Sequence, residues 1–162
     1  MSRFLDLMDQ TPPIPGKGPG HFDFSNPDRL FPAVVGESPF RLWKPGDPIA
    51  RQGTRILIGV ATWSGYDMQL LDMLEEALSR AKDAPLVEVF NAGILTSAEA
   101  FEDYIPGLPP PMQMPVVGVW QDGVLTERAE GYFARDLVAR MFGSSSDAVV
   151  AALDQAWAAR AS

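Results

Sequence analysis

Few residues of this sequence could do chemistry, and the segment 63–67 holds two of them. Ser64 carries a hydroxyl and Asp67 a carboxylate, three positions apart and directly before a helical pattern. In this spacing the serine can cap the helix by accepting a backbone N–H, and the positive end of the helix dipole stabilises the acid. The pattern predicts helix capping for both residues and leaves a binding role at the same helix start open.

The composition narrows the remaining chemistry. The chain of 162 residues has no Cys and one His, His21, which lies in a stretch rich in Gly and Pro without neighbouring ligand residues. Disulfides, thiol nucleophiles, iron–sulfur clusters and thiolate zinc sites are therefore excluded, and a site with several His ligands cannot be built. We expect no metal site and no cofactor.

The charge balance disfavours two classes of partner. Thirteen Lys and Arg against twenty-one Asp and Glu give a net charge of -8. An acidic surface repels both nucleic-acid phosphates and anionic lipid headgroups. Residues 1–10 include two acidic residues where a signal peptide needs an apolar stretch, and no apolar run approaches the length of a membrane span. We expect a cytoplasmic protein that binds neither nucleic acid nor membrane.

The other carboxylates have the pattern of a solvated surface. They occur on the predicted helices, and the helix faces of acidic proteins commonly carry such residues without any acid–base role. The residues in question are Glu75, Glu76, Glu99, Glu102 and Asp103.

From residue 55 onward, apolar periodicity predicts an alternating α/β chain. Apolar runs predict strands, apolar residues three and four positions apart predict helices, and the Asp122-Gly123 dipeptide predicts a tight hairpin. The order β-α-β-α-β-β-α-α predicts a mixed sheet with helices on its faces. The predicted segments are strands at 55–61, 86–90, 116–120 and 125–129, and helices at 70–81, 96–104, 133–142 and 148–159.

The first fifty residues differ from the rest. They contain nine of the fifteen prolines, and residues 11–20, TPPIPGKGPG, can form neither a helix nor a central strand. Scattered apolar residues on both sides of this stretch need cover. We therefore divide the chain into an arm, 1–50, and a domain, 51–162, and the arm packs either on its own domain or on a partner.

The order of strands and helices in the domain, and the glycines, prolines and short motifs between them, resemble those of the thioredoxin family. That family has a buried strand followed by Ala-x-Trp-Cys-Gly-Pro-Cys at the start of a helix, and residues 61–67 read Ala-Thr-Trp-Ser-Gly-Tyr-Asp in the same frame. Met114-Pro115 resembles the cis-proline of the family, and Gly131 the glycine before its last helix. The resemblance covers 55–142 and implies a thioredoxin-like sheet flanked by helices, and the additional helix predicted at 147–160 lies beyond it.

The departures from the family remove its redox chemistry. Ser64 and Asp67 replace the two cysteines, and Ile58 stands where the family has a buried acid that helps to move the proton. Dithiol exchange needs a thiolate to attack and a sulfur to leave, and neither serine nor aspartate provides them. Thiol–disulfide oxidoreductase activity is excluded.

The resemblance leaves two hypotheses for function. The first is a non-catalytic module that binds a protein or extended peptide at the backbone edge of Met114, with Met112 and Tyr66 beside it. The second is an enzyme similar to the glutathione transferases, in which Ser64 would lower the pKa of a bound thiol. Trp63 would anchor a peptide or simply cover the sheet end, and Met114-Pro115 would offer its edge or form a buried crossover. The residues predicted to form the groove are Trp63, Ser64, Gly65, Tyr66, Asp67, Met114, Pro115 and Gly131.

Overall fold

A computed structural model describes residues 2–46 and 52–161 of the chain. Its described part is an α/β fold built on one mixed sheet of five strands in the order β1-β3-β2-β4-β5. Strands β1, β3 and β2 are parallel to one another, whereas β4 is antiparallel to β2 and β5 to β4. The strands are β1 (Arg41–Leu42), β2 (Thr54–Val60), β3 (Leu86–Asn91), β4 (Val116–Gln121) and β5 (Val124–Glu130).

Helices cover both faces of the sheet. Five of the six described helices pack on one face, and only α4 packs on the other. The alternation of side chains along β2 divides the two cores, since Ile56 and Ile58 face the larger one and Leu57 the smaller. The helices are α1 (Arg3–Met8), α2 (Ser25–Gly36), α3 (Gly65–Arg80), α4 (Ala98–Tyr104), α5 (Tyr132–Met141) and α6 (Ser146–Ala161).

The predicted α/β alternation from residue 55 is confirmed. The apolar run after Thr54 forms the central strand β2, buried from Ile56 onward on both faces. The hairpin turns at Asp122 and Gly123, whose φ angles of 50° and 85° match the left-handed turn that their dipeptide predicts. The helix predicted to start at Thr96 starts later, because Ser97 is the residue whose hydroxyl accepts the first free N–H, from Ala100.

The amino-terminal segment packs against the sheet and α3. Strand β1 adds to the sheet beside β3, with Arg41 opposite Glu88. Phe4, Leu5 and Leu7 of α1 are buried in the larger core. The predicted boundary between residues 50 and 51 lies outside the described residues.

A carboxylate of α3 holds the start of α1. Asp72 is buried, and its two oxygens accept the N–H groups of Phe4 and Leu5 at 2.9 and 3.0 Å. These are free donors at a helix start, where a negative charge is also favoured by the helix dipole. Burial nevertheless raises the pKa of Asp72 to about 6, against the lowering effect of the two hydrogen bonds.

The prediction that Glu75 belongs to a solvated surface is wrong. Its side chain is 9 % exposed, and Oε1 lies 2.7 Å from Nε of Arg3. The acid lies on the face of α3 that α1 covers, and the guanidinium of Arg3 compensates its charge there. Glu76, one position later, is exposed and pairs with Arg80 across one helical turn.

Candidate functional site

Three chain segments meet at the carboxyl ends of β2 and β3: residues 61–67, the loop with Met114-Pro115, and the start of α5. The register pairs Gly59 with Val116, so Pro115 lies beside Val60, just before the segment 61–67. The Met114-Pro115 peptide bond is cis. The N–H of Gly131 donates to the Pro115 carbonyl oxygen at 2.8 Å, which brings the start of α5 to the same place.

The backbone of Met114 offers an open edge. No backbone hydrogen bond within residues 2–46 and 52–161 uses its N–H or its C=O. Its side chain is half-buried against the smaller core, whereas the neighbouring Met112 is 94 % exposed. An unpaired N–H and C=O beside a sheet are the groups that an extended peptide can pair with.

Ser64 and Asp67 start helix α3. The Ser64 hydroxyl accepts the Asp67 N–H at 3.3 Å, as expected for an N-cap. The Asp67 carboxylate lies buried below the end of β2, where Oδ2 accepts the Ala61 N–H at 3.0 Å. Oδ1 is buried without a hydrogen-bond partner among the described residues.

The environment of Asp67 favours its neutral form. Burial raises its pKa to about 7, and the hydrogen bonds from Ala61 and Ser64 and the charge of Arg135 reduce the shift only in part. A carboxyl group with this pKa holds its proton for about half the time at neutral pH. Asp67 is therefore a buried acid below the helix start, whereas Trp63 and Tyr66 of the same segment are exposed.

Two glycines allow the segments to approach closely. Gly65 lies against α6, where an added Cβ would be 3.0 Å from the ring of Trp157. Gly131 has φ 61°, and an added Cβ there would overlap the amide oxygen of Gln113. A side chain at Gly65 would require the Trp157 ring to shift by a few tenths of an ångström, and one at Gly131 would displace the Gln113 amide and adopt a strained positive φ.

Arg135 is a site residue that the sequence did not indicate. Its guanidinium lies 4.8 Å from the ring centre of Tyr66 and 5.7 Å from that of Tyr132, and its Nε donates to Ser146. The cation thus joins α5 to the start of α3 and to α6. Arg135 and Tyr66 are about 70 positions apart in the sequence, so no local sequence pattern connects the two.

A second group of unexpected residues holds α2 at the same end of the sheet. Oδ1 of Asp28 accepts from the Thr62 hydroxyl at 2.6 Å and from the Asn91 amide at 2.7 Å. Thr62 and Asn91 follow or end the two central parallel strands and are buried. This bridge fixes the start of α2, and with it the residues just before it, beside the segment 61–67.

Exposed apolar side chains are concentrated at this end of the molecule. Eleven large apolar side chains are exposed within the described residues, and eight of them lie on the segments just described or in the short turn after β3, which holds Ile94. Such clustering is typical of an interaction surface, whereas single exposed apolar residues are common everywhere. We call these eight the apical surface: Phe22, Phe24, Trp63, Tyr66, Ile94, Met112, Tyr132 and Phe133.

Ser64 and His21 are the remaining reactive side chains that the sequence singled out. The Ser64 hydroxyl is held by a helix N–H, and His21, the single imidazole of the chain, belongs to the exposed turn between α1 and α2. The described residues contain no group of three or more His, Asp or Glu side chains placed to hold a metal ion. Within the same residues, no helix has the length and apolarity needed to cross a membrane.

The sequence of this chain matches no protein-family model and no curated protein.

Proposed function

We propose that this chain is a thioredoxin-like domain without dithiol chemistry that binds another protein through its apical surface. The observation that carries the proposal is the concentration of eight exposed apolar side chains at the carboxyl ends of β2 and β3. In α/β sheets, ligands bind at this end of the strands. The absence of Cys removes the redox activity that such a site would otherwise have.

The partner is an extended polypeptide segment. The Met114 N–H and C=O are free of backbone hydrogen bonds within the described residues, and pairing with them would extend the chain of the partner along the loop. Trp63 and Phe133, 54 % and 74 % exposed, would supply the apolar contacts beside it. Loss of the two thiols and retention of Trp63, Gly65, Pro115 and Gly131 agree with a site kept for binding.

The test is affinity capture from a native lysate with a matched pair of variants. Trp63→Ser with Phe133→Ser removes two side chains of the apical surface, whereas Leu86→Ser with Val124→Ser removes two side chains, 43 % and 64 % exposed, at the opposite end of the sheet. We expect the wild type and the Leu86/Val124 variant to retain the same partner and the Trp63/Phe133 variant to lose it. Retention by both variants, or no partner on the wild type, contradicts the proposal.

Deleting the arm is a poor test of the same surface. Phe4, Phe31 and Trp43 are among the largest fully buried side chains, so a chain without residues 1–50 would lose part of both cores. Phe22→Ser with Phe24→Ser tests the contribution of the arm instead. Both side chains are exposed just before α2, and their removal leaves the buried residues in place.

A further inference from the structure

A small cavity, lined by apolar side chains together with polar groups, opens beside the Met114 edge. It has a volume of about 170 Å³ and lies between the start of α4 and the loop that leads to Pro115. The hydroxyl-bearing residues Thr96 and Ser97 also border it. Its apolar wall consists of Leu95, Ala98, Phe101, Pro110, Pro111 and Met114.

The cavity and the open edge share one residue. The side chain of Met114 lines the cavity, and its backbone N–H and C=O are the groups free for pairing. Directly opposite residues of paired strands point their side chains to the same side of the sheet. A peptide residue placed opposite Met114 would therefore direct its own side chain toward the cavity.

The lining of the cavity defines which side chain fits. Among the described residues no charged side chain borders it, so a Lys, Arg, Asp or Glu would lose its hydration there without gaining a partner. Small-molecule pockets are usually larger than about 300 Å³, so a cavity of about 170 Å³ suits part of a bound chain, such as a single side chain, better than a separate ligand.

We propose that this cavity is a specificity pocket, which selects Leu, Ile, Met or Phe at one position of the extended peptide bound along Met114. The inference rests on the proposed function, since it assigns the side-chain preference of the same site. It also gives a reason for the two prolines: Pro110 and Pro111 form a wall with little conformational freedom to lose when the pocket is filled.

The test uses a soluble positional library of acetylated, amidated hexapeptides without Cys, captured on the immobilised full-length chain and read by mass spectrometry. We expect one position of the retained peptides to be enriched in Leu, Ile, Met and Phe and depleted in charged residues. For the best single peptide, replacing that residue by Ala should weaken binding by about 10-fold or more, the loss expected from exposing one buried apolar side chain.

Three variants connect that preference to the cavity. Ala98→Trp fills it from an exposed position at the helix start and should abolish the enrichment, whereas Ala151→Trp, at an exposed position of α6, should leave it unchanged. Ala98→Asp places a carboxylate at the mouth of the cavity, where a helix start tolerates it, and should shift the preference to Lys and Arg. Circular dichroism of each variant checks that the fold is kept.

The outcomes separate the two proposals. The pocket is overturned if the wild type retains peptides without an apolar preference. It is also overturned if that preference is the same in Ala98→Trp and Ala98→Asp. Both results leave the proposed function standing. A wild-type chain that retains no peptide contradicts binding of an extended segment at Met114, and the pocket with it.

Discussion

Replacing Asp67 by Asn should make the protein more stable above neutral pH. Burial raises the pKa of Asp67 from 3.8 to about 7 in the folded chain. Between these two values the folded state binds a proton that the unfolded state has released, so stability is fully present below the lower value and falls as pH rises toward the higher one. The amide of Asn has no proton to lose and removes this dependence.

The structure sets the size of the effect. A shift from 3.8 to about 7 corresponds to about 4 kcal/mol at 1.36 kcal/mol for each pH unit. The Asn side chain keeps an oxygen for the Ala61 N–H, but its NH₂ group replaces Oδ1, which has no hydrogen-bond partner among the described residues. An unpaired buried donor costs about 1–3 kcal/mol, so the variant should gain about 1–3 kcal/mol above pH 8.

Urea denaturation of both proteins at intervals from pH 4.5 to 8.5 measures the difference in the free energy of unfolding. We expect the wild type to be the more stable protein at pH 4.5 and the less stable one at pH 8.5. Asp72, whose pKa is raised to about 6, titrates in both proteins and cancels in the difference. Asp154→Asn, at an exposed position of α6, controls for the loss of one negative charge. A difference between wild type and Asp67→Asn that stays constant with pH would refute the reasoning.

Three further substitutions test the contacts that hold the site and its supports. Ser64→Ala removes the cap of α3 and should lower the free energy of unfolding by about 1 kcal/mol, while Ser64→Gly should cost only a few tenths; equal losses would contradict a capping role. Asp72→Ala leaves two buried N–H groups of α1 unpaired and should cost about 2–4 kcal/mol, with amide hydrogen exchange fastest in α1; unchanged exchange there would show that Asp72 does not hold the helix. Gly131→Ala places a side chain on a backbone with φ 61° and against Gln113, so it should lower the free energy of unfolding by about 1–3 kcal/mol. Urea denaturation measures this loss, and a neutral result would mean that the Met114 loop can shift freely.

The sequence predicted those features that depend on neighbouring residues. The buried run of β2, the Asp122-Gly123 turn and the Ser64 cap each follow from residues within a few positions, and the structure contains all three. Strand β1 did not follow, because two residues are too few to show a period and its place depends on pairing with β3.

Long-range partners account for what sequence reasoning missed. A carboxylate on a helix is usually solvated, and nothing near Glu75 in the sequence indicates that Arg3 will cover it. The same holds for Asp28, whose partners Thr62 and Asn91 lie on other elements. Within the candidate site, the groove residues were predicted from short motifs at the strand ends. Arg135, whose guanidinium lies near the rings of Tyr66 and Tyr132, could be identified only from the fold.

The capping of α1 by Asp72 also bears on the order in which the protein acquires its structure. The two groups that it joins are separated by 67 and 68 positions in the chain, so a large loop must close before α1 gains its cap. Six residues are too few to form a stable helix alone, and its apolar side chains leave the ribosome before α3 exists. This helix is synthesised before α3 but is thus among the last elements to become ordered, and until then the side chains of Phe4, Leu5 and Leu7 lack their cover in the core.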